Sequence, residues 1–184
     1  LALRINGRTL GSSALRQRTG LEPRNIEFWQ QGRRCFSLGA RLSGAPGVDR
    51  GMSITWEEIT EWDGDAPVPR SGHSFNTVGG RHFLFGGCGR MKGKAQAFSD
   101  VYQLDLSDPE RPAWAEFPAG GEKPPPRSKH TATVISASEL LVFGGLHQRT
   151  RYNDVWVLDV EAKKWVKVEV EGAPPMPRAH HTAT

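Results

Sequence analysis

The chain has 184 residues, a net charge of +4, 37% hydrophobic residues, 21 Gly and 13 Pro. That length suffices for an ordinary globular core, and the Gly and Pro content suits a turn-rich all-β protein better than a helical one. No apolar run approaches the roughly 18–20 residues of a membrane-spanning helix, so no membrane span is expected.

Residues 1–52 stand apart. They hold nine Arg, no Lys and three acids (Glu22, Glu27, Asp49), about +6, whereas the 15 basic and 17 acidic residues of 53–184 leave about −2. The basic character therefore belongs to the first segment and argues against nucleic-acid binding by the rest. This stretch has no clear period and is expected to be irregular or disordered. Three readings compete: an Arg- and Ser-rich transit peptide with an organellar destination, a disordered basic arm, or translated upstream sequence with Met52 as the true start. The abrupt change of pattern after Met52 favours the third. The two cysteines, Cys35 and Cys88, form no C-x-x-C pair, which argues against a zinc knuckle and a disulfide framework. A reducing, cytoplasmic compartment is expected.

From residue 53 an internal repeat is visible. Pro67-Val68-Pro69-Arg70 is followed three residues later by His73, Pro124-Pro125-Pro126-Arg127 by His130, and Pro175-Met176-Pro177-Arg178 by His181. Other landmarks keep step: Gly86-Gly87 with Gly144-Gly145, Asp100 with Asp154, and Trp114 with Trp165. The extra residues of the longer repeat fall in connecting loops, where stacked repeat units tolerate insertion. The units run 67–123 and 124–174, with the start of a further unit at 175–184.

Each unit reads as four short strands. The first follows the His (73–78 and 130–135). A tight turn, Gly79-Gly80 or Ser136-Ala137-Ser138, leads to an apolar second strand ending at the Gly pair. Gly-Gly suits a two-residue hairpin, which needs positive φ. The apolar runs Phe83-Leu84-Phe85 and Leu140-Leu141-Val142-Phe143 predict burial on both faces. The third strand follows the Asp and the fourth opens at the Trp. Proline, which cannot donate to a ladder, marks the connections.

This set of landmarks resembles the kelch repeat, over residues 53–184. The resemblance implies four-stranded antiparallel blades of a β-propeller, an all-β fold of about four to eight blades in general. Two complete sets of landmarks cannot close a ring, so the chain reads as an incomplete piece of a longer propeller. Kelch rings often close by pairing an N-terminal outer strand with the last blade. Residues 53–66, with Trp56 at the position of the fourth-strand Trp, are expected to be such an orphan outer strand.

The candidate functional residues fall into two classes. Arg70, His73, Gly86, Gly87, Asp100, Trp114, Arg127, His130, Gly144, Gly145, Asp154, Trp165, Arg178 and His181 are expected to be structural landmarks of the repeat. The three repeated histidines lack His-x-Glu or His-x-x-x-His partners and do not read as a metal set. The Gly pairs precede no helix and are no phosphate loop. No catalytic, cofactor-binding or metal residue is expected. Arg90, Lys92, Lys94, Arg149 and Arg151, in the connections after the Gly pairs, are the candidate partner-binding residues. The resemblance implies that such loops project from one face and contact protein partners. Their guanidinium and ammonium groups suit an acidic or phosphorylated segment. The expected function is a protein-binding scaffold and not an enzyme. The alternative is part of a metal-dependent propeller enzyme, galactose-oxidase-like or nitrile-specifier-like, with its site in further blades.

Overall fold

The computed structural model describes residues 61–108 and 111–183, together with the backbone strands at 3–5, 8–10, 29–31, 34–43 and 51–59. The chain divides into two units, 1–64 with 105–113, and 65–104 with 114–184. No helix occurs among the described residues.

In the first unit, Leu3–Ile5 pairs with Arg8–Leu10, and a three-stranded antiparallel sheet runs in the order Trp29–Gln31, Arg34–Ser43, Gly51–Ile59. The position of Trp56 thus falls on a strand whose backbone partner is Arg34–Ser43, with Leu38 opposite it.

The repeats form two blades. In the first, Ser74–Val78, Arg81–Phe85, Val101–Asp105 and Ala113–Glu116 follow one another across the sheet in chain order, and the two-residue strand Asp63–Gly64 lies beside the fourth as a fifth strand. In the second the order is Thr131–Val134, Glu139–Phe143, Val155–Asp159, Lys164–Val168, every pair antiparallel. Each blade is thus a meander, as the repeat predicts. Local chemistry sets the turns. Gly79 and Gly80 take φ of +56° and +79° between the paired residues Val78 and Arg81, the conformation that matches a hairpin to strand twist. The Asp159 carboxylate accepts from the Glu161 and Ala162 N–H groups at 2.9 Å each, an Asx turn that reverses the chain into the fourth strand.

One apolar core joins both blades. Val78, Phe83, Phe85, Val101 and Phe117 of the first pack with Leu140, Val142, Trp156, Leu158, Val160 and Trp165 of the second. Phe85 is the central contact, with Trp165 at 4.9 Å and His130 at 5.0 Å between ring centroids. The expectation of two-sided burial holds for Phe83, Leu84 and Phe85, all at 2% exposure or less. In the second blade Leu140 and Val142 are buried but Leu141 and Phe143 are half-buried. The difference lies in what covers each strand. Phe85 meets a whole neighbouring blade, whereas the aromatic partner of Phe143 is His181, at 5.2 Å.

Replacing Phe85 with Ala is expected to cost about 3–5 kcal/mol, because its ring fills the seam between blades. Replacing Phe143 with Ala is expected to cost less. Denaturant unfolding of the full chain checks the ranking.

Candidate functional site

The Arg-x-x-His segments build the joints between strands and between blades. Arg127 is fully buried. Its two terminal nitrogens donate to the two carboxylate oxygens of Asp154 at 2.7 and 2.8 Å. It also donates to the Gly144 carbonyl at 2.9 Å and, through Nε, to the Pro125 carbonyl at 3.1 Å. The guanidinium lies 4.5 Å from the Tyr152 ring centroid. Arg70 repeats the arrangement with both oxygens of Asp100, the carbonyls of Gly86 and Val68, and the Phe98 ring at 4.0 Å. A planar fork of donors is what two carboxylate oxygens plus backbone carbonyls require. Burial works against the Asp154 carboxylate, but hydrogen bonds from Arg127 and from the Trp156 indole outweigh it. They hold its pKa below the ordinary carboxylate value.

The Gly pairs belong to the same joints. Gly87 N–H donates to the Arg127 carbonyl at 2.8 Å, and Gly145 N–H to the Arg178 carbonyl at 2.9 Å. Both pairs adopt positive φ. A Cβ on Gly144 would lie 2.8 Å from the Arg178 carbonyl oxygen, and one on Gly87 2.9 Å from His73 Cβ. The first glycine clears the next Arg-x-x-His segment and the second clears its own.

A further backbone relay passes between repeats. The residue before each repeated His has positive φ: Gly72 at +66°, Lys129 at +59° and His180 at +59°. Lys129 N–H donates to the Gly72 carbonyl at 2.7 Å, and His180 N–H to the Lys129 carbonyl at 3.0 Å. His180 is therefore a left-handed residue outside any strand. The left-handed conformation costs an ordinary residue roughly 1–2 kcal/mol. The relay offsets that cost at Lys129 and His180.

The three histidines sit one per repeat, and no group of three or more His, Cys, Asp or Glu with metal-holding geometry occurs among the described residues. His130 Nε2 shares a 2.9 Å hydrogen bond with Ser74 Oγ of the preceding blade, and His181 Nε2 a 2.9 Å bond with Thr131 Oγ1. The hydroxyl partner directly follows the previous repeated His in the chain, a pattern (His73-Ser74, His130-Thr131) legible in the sequence but not singled out by it. The aromatic two residues before each repeated Asp, Phe98 and Tyr152, was likewise a readable signal for the Arg stacking partner. Trp114 and Trp165 are buried. Arg178, at the start of the third unit, donates through Nε to the Met176 carbonyl.

The connections after the Gly pairs, expected as loops, are short hairpins. Cys88–Met91 pairs with Lys94–Ala97 around Lys92-Gly93, which has φ of +49° and +80°. Leu146–His147 pairs with Thr150–Arg151. The base of each hairpin is tied to its own blade's Arg segment, through Cys88 opposite Ser71 and through Leu146 opposite Ser128. Arg90, Lys92, Lys94, Arg149 and Arg151 are all exposed. Ion pairs among the described residues involve Arg70, Arg81, Arg111 and Arg127 instead. In a meander the second-to-third connection lies at the end of the sheet opposite the other two turns. Consistently, the first-to-second and third-to-fourth turns meet each other, with Val160 N–H donating to the Ser138 carbonyl at 2.9 Å. The hairpins therefore occupy one rim of the blade pair.

Twin four-stranded meanders locked by an Arg–Asp clamp and a Gly pair define a repeat-built β-propeller module. The model of the KLHDC2/KLHL20/DRC7 kelch-repeats domain matches residues 50–184, and the chain belongs to the kelch-repeat family, whose domains generally serve as protein-interaction scaffolds. It is 55% identical over 133 residues to the flagellar outer arm dynein alpha chain of Chlamydomonas reinhardtii, covering 72% of this chain and 3% of that one. It is 36% identical over 147 residues to host cell factor 1 of Homo sapiens, covering 70% of this chain and 7% of that one. It is also 36% identical over 129 residues to acyl-CoA-binding domain-containing protein 4 of Arabidopsis thaliana, covering 70% and 18%. The chain thus spans a small fraction of the length of these relatives.

Two predictions follow from the joints. Asp154→Ala leaves the Arg127 guanidinium buried without its carboxylate and is expected to cost about 3–5 kcal/mol. Glu161→Ala breaks the exposed 2.7 Å pair with Arg81 and is expected to cost under about 1 kcal/mol. Equilibrium unfolding of the full chain separates them. The second concerns pH. Burial, then the Arg127 cation and the neighbouring histidines, push His130 down from 6.5 to about 3. Between those values the unfolded chain binds the extra proton, so stability falls as pH drops below 6.5. This one group contributes up to about 1.4 kcal/mol per pH unit. His130→Asn is expected to flatten that part of the slope, read by urea unfolding between neutral pH and about pH 5.

Proposed function

We propose that this chain is a non-catalytic scaffold that grips a protein partner through the hairpins of its basic rim. The observation that carries the reading is the placement of Arg90, Lys92, Lys94, Arg149 and Arg151, all exposed on hairpins at equivalent positions of adjacent blades. The buried Arg70 and Arg127 are consumed by the fold, whereas none of these five forms an ion pair among the described residues. A rim of exposed cations raises association rates with, and selects for, partners of negative potential. The unlike lengths of the two hairpins also fit a surface tuned by loop variation on a constant frame.

The relatives carry such repeats within much longer chains. The likeness to a flagellar outer arm dynein chain supports the reading that the repeats serve as a docking module within a larger assembly of that kind, working in the cytoplasm. Among the described residues no helix is long and apolar enough to cross a membrane.

Changing the five rim cations to Glu in the full-length protein is expected to reduce co-purification of its native partner by roughly tenfold or more, the scale of losing one or two favourable charge contacts. Thermal unfolding should stay unchanged. Substitution of Ala137 and Lys163, in turns at the opposite end of the sheet, should leave capture intact. A folded five-site variant that still captures the partner as well as the wild type would refute the rim assignment.

A further inference from the structure

Resting on the scaffold reading, the backbone of the first hairpin specifies the kind of partner segment. Lys94–Ala97 is an edge strand, in a small sheet of order Lys94–Ala97, Cys88–Met91, Arg70–Ser71. Around a two-residue turn, the flanking pair Met91 and Lys94 exchanges hydrogen bonds and the pairs alternate from there. The Phe98 N–H to Gly87 carbonyl bond, at 2.8 Å, sets the same alternation from the other end. Gln96 therefore bonds inward to Gly89, while Ala95 and Ala97 aim their N–H and C=O groups off the ribbon. No described strand pairs with them.

Proteins usually protect such an edge with proline, a bulge, a very short strand or a covering segment. The Lys-Ala-Gln-Ala strand has no proline, and Lys94, Ala95 and Gln96 are exposed. The ribbon is anchored, because Gly89 is pressed so close to Pro69 that a Cβ would lie 2.3 Å from its carbonyl oxygen. Lys94 guards this four-residue edge against indiscriminate pairing but leaves it open to a strand of opposite charge, and an anchored edge is the template that strand-adding peptides use.

The charge of the ribbon selects the occupant. Residues 88–97 contain Arg90, Lys92 and Lys94 and no acid. Arg90 lies opposite Ala95, so it stands two strand spacings, roughly 9–10 Å, from an added strand. Only a methyl group intervenes, and an Arg and a Glu side chain together span that distance. The base of the ribbon adjoins the second blade, since the Phe98 carbonyl accepts from Arg127 N–H at 3.0 Å. The hairpin of that blade carries Arg149 and Arg151. We propose that the Lys94–Ala97 edge takes an extended, glutamate-rich segment of a partner protein as an added β-strand.

The test uses the full chain and a fluorescein-labelled synthetic peptide of alternating Glu and Thr, read by anisotropy. Ala95→Pro removes one outward N–H that the fold does not use and leaves every rim charge in place. Binding is expected to weaken by roughly tenfold or more, the loss of one or two net hydrogen bonds, with thermal unfolding unchanged. N-methylation of alternate peptide backbone nitrogens should weaken it likewise, and a Lys-Thr peptide should not bind. Failure of the Glu-Thr peptide to bind, undiminished binding by a folded Ala95→Pro protein, or equal binding of the Lys-Thr peptide would overturn strand addition. Native-partner capture by the five-site charge variant then decides separately whether the rim reading survives.

Discussion

A buried guanidinium organises this molecule. Arg127 is out of water, and a charge in that position is tolerable only when it is paired and hydrogen-bonded. The Asp154 carboxylate and the Gly144 and Pro125 carbonyls accept four hydrogen bonds from it, and the ring of Tyr152 covers its face. Three segments of one blade, at 125–127, 144 and 152–154, converge on a single side chain. The Arg127 carbonyl meanwhile accepts from Gly87 of the preceding blade, so the residue that closes its own blade also registers its neighbour. The Gly pair exists because this approach leaves no room for a Cβ.

The second joint runs through the residue before each repeated histidine and through the histidine itself. A left-handed backbone at Gly72, Lys129 and His180 aims successive N–H and C=O groups from repeat to repeat. The imidazole then reaches back to a hydroxyl on the preceding first strand. Burial beside an arginine keeps His130 neutral, which suits a group packed against Phe85 and disqualifies it as a pH sensor near neutrality. The recurrence of histidine is thus explained by packing between blades.

The division of labour between the two sets of cations follows. Arg70 and Arg127 are committed to the clamp, and their replacement acts on stability. The rim cations sit on hairpins tied down at their bases and free at their tips, where sequence can vary without disturbing the joints. Fold alone does not fix the molecule bound, so membership of the kelch-repeat family says more about architecture than about the partner.

The amino-acid sequence by itself determined the repeat and the meander of four strands, and it marked the Arg, His, Gly, Asp and Trp positions as landmarks to be placed. Those features are written in local patterning: turn glycines, apolar runs and prolines at connections. It also marked the rim residues by their charge. Only the tertiary structure decided which landmarks touch. Arg127 meets Asp154 across 27 residues, His130 meets Ser74 across 56, and Phe85 meets Trp165 from another blade. Such pairings depend on how sheets stack, which no local period records. The hairpin at 88–97 was hidden for a related reason. Its short strands lack an alternating apolar face, because they bury little, and they are held by backbone pairing to Arg70–Ser71, a partner that sequence patterning does not announce.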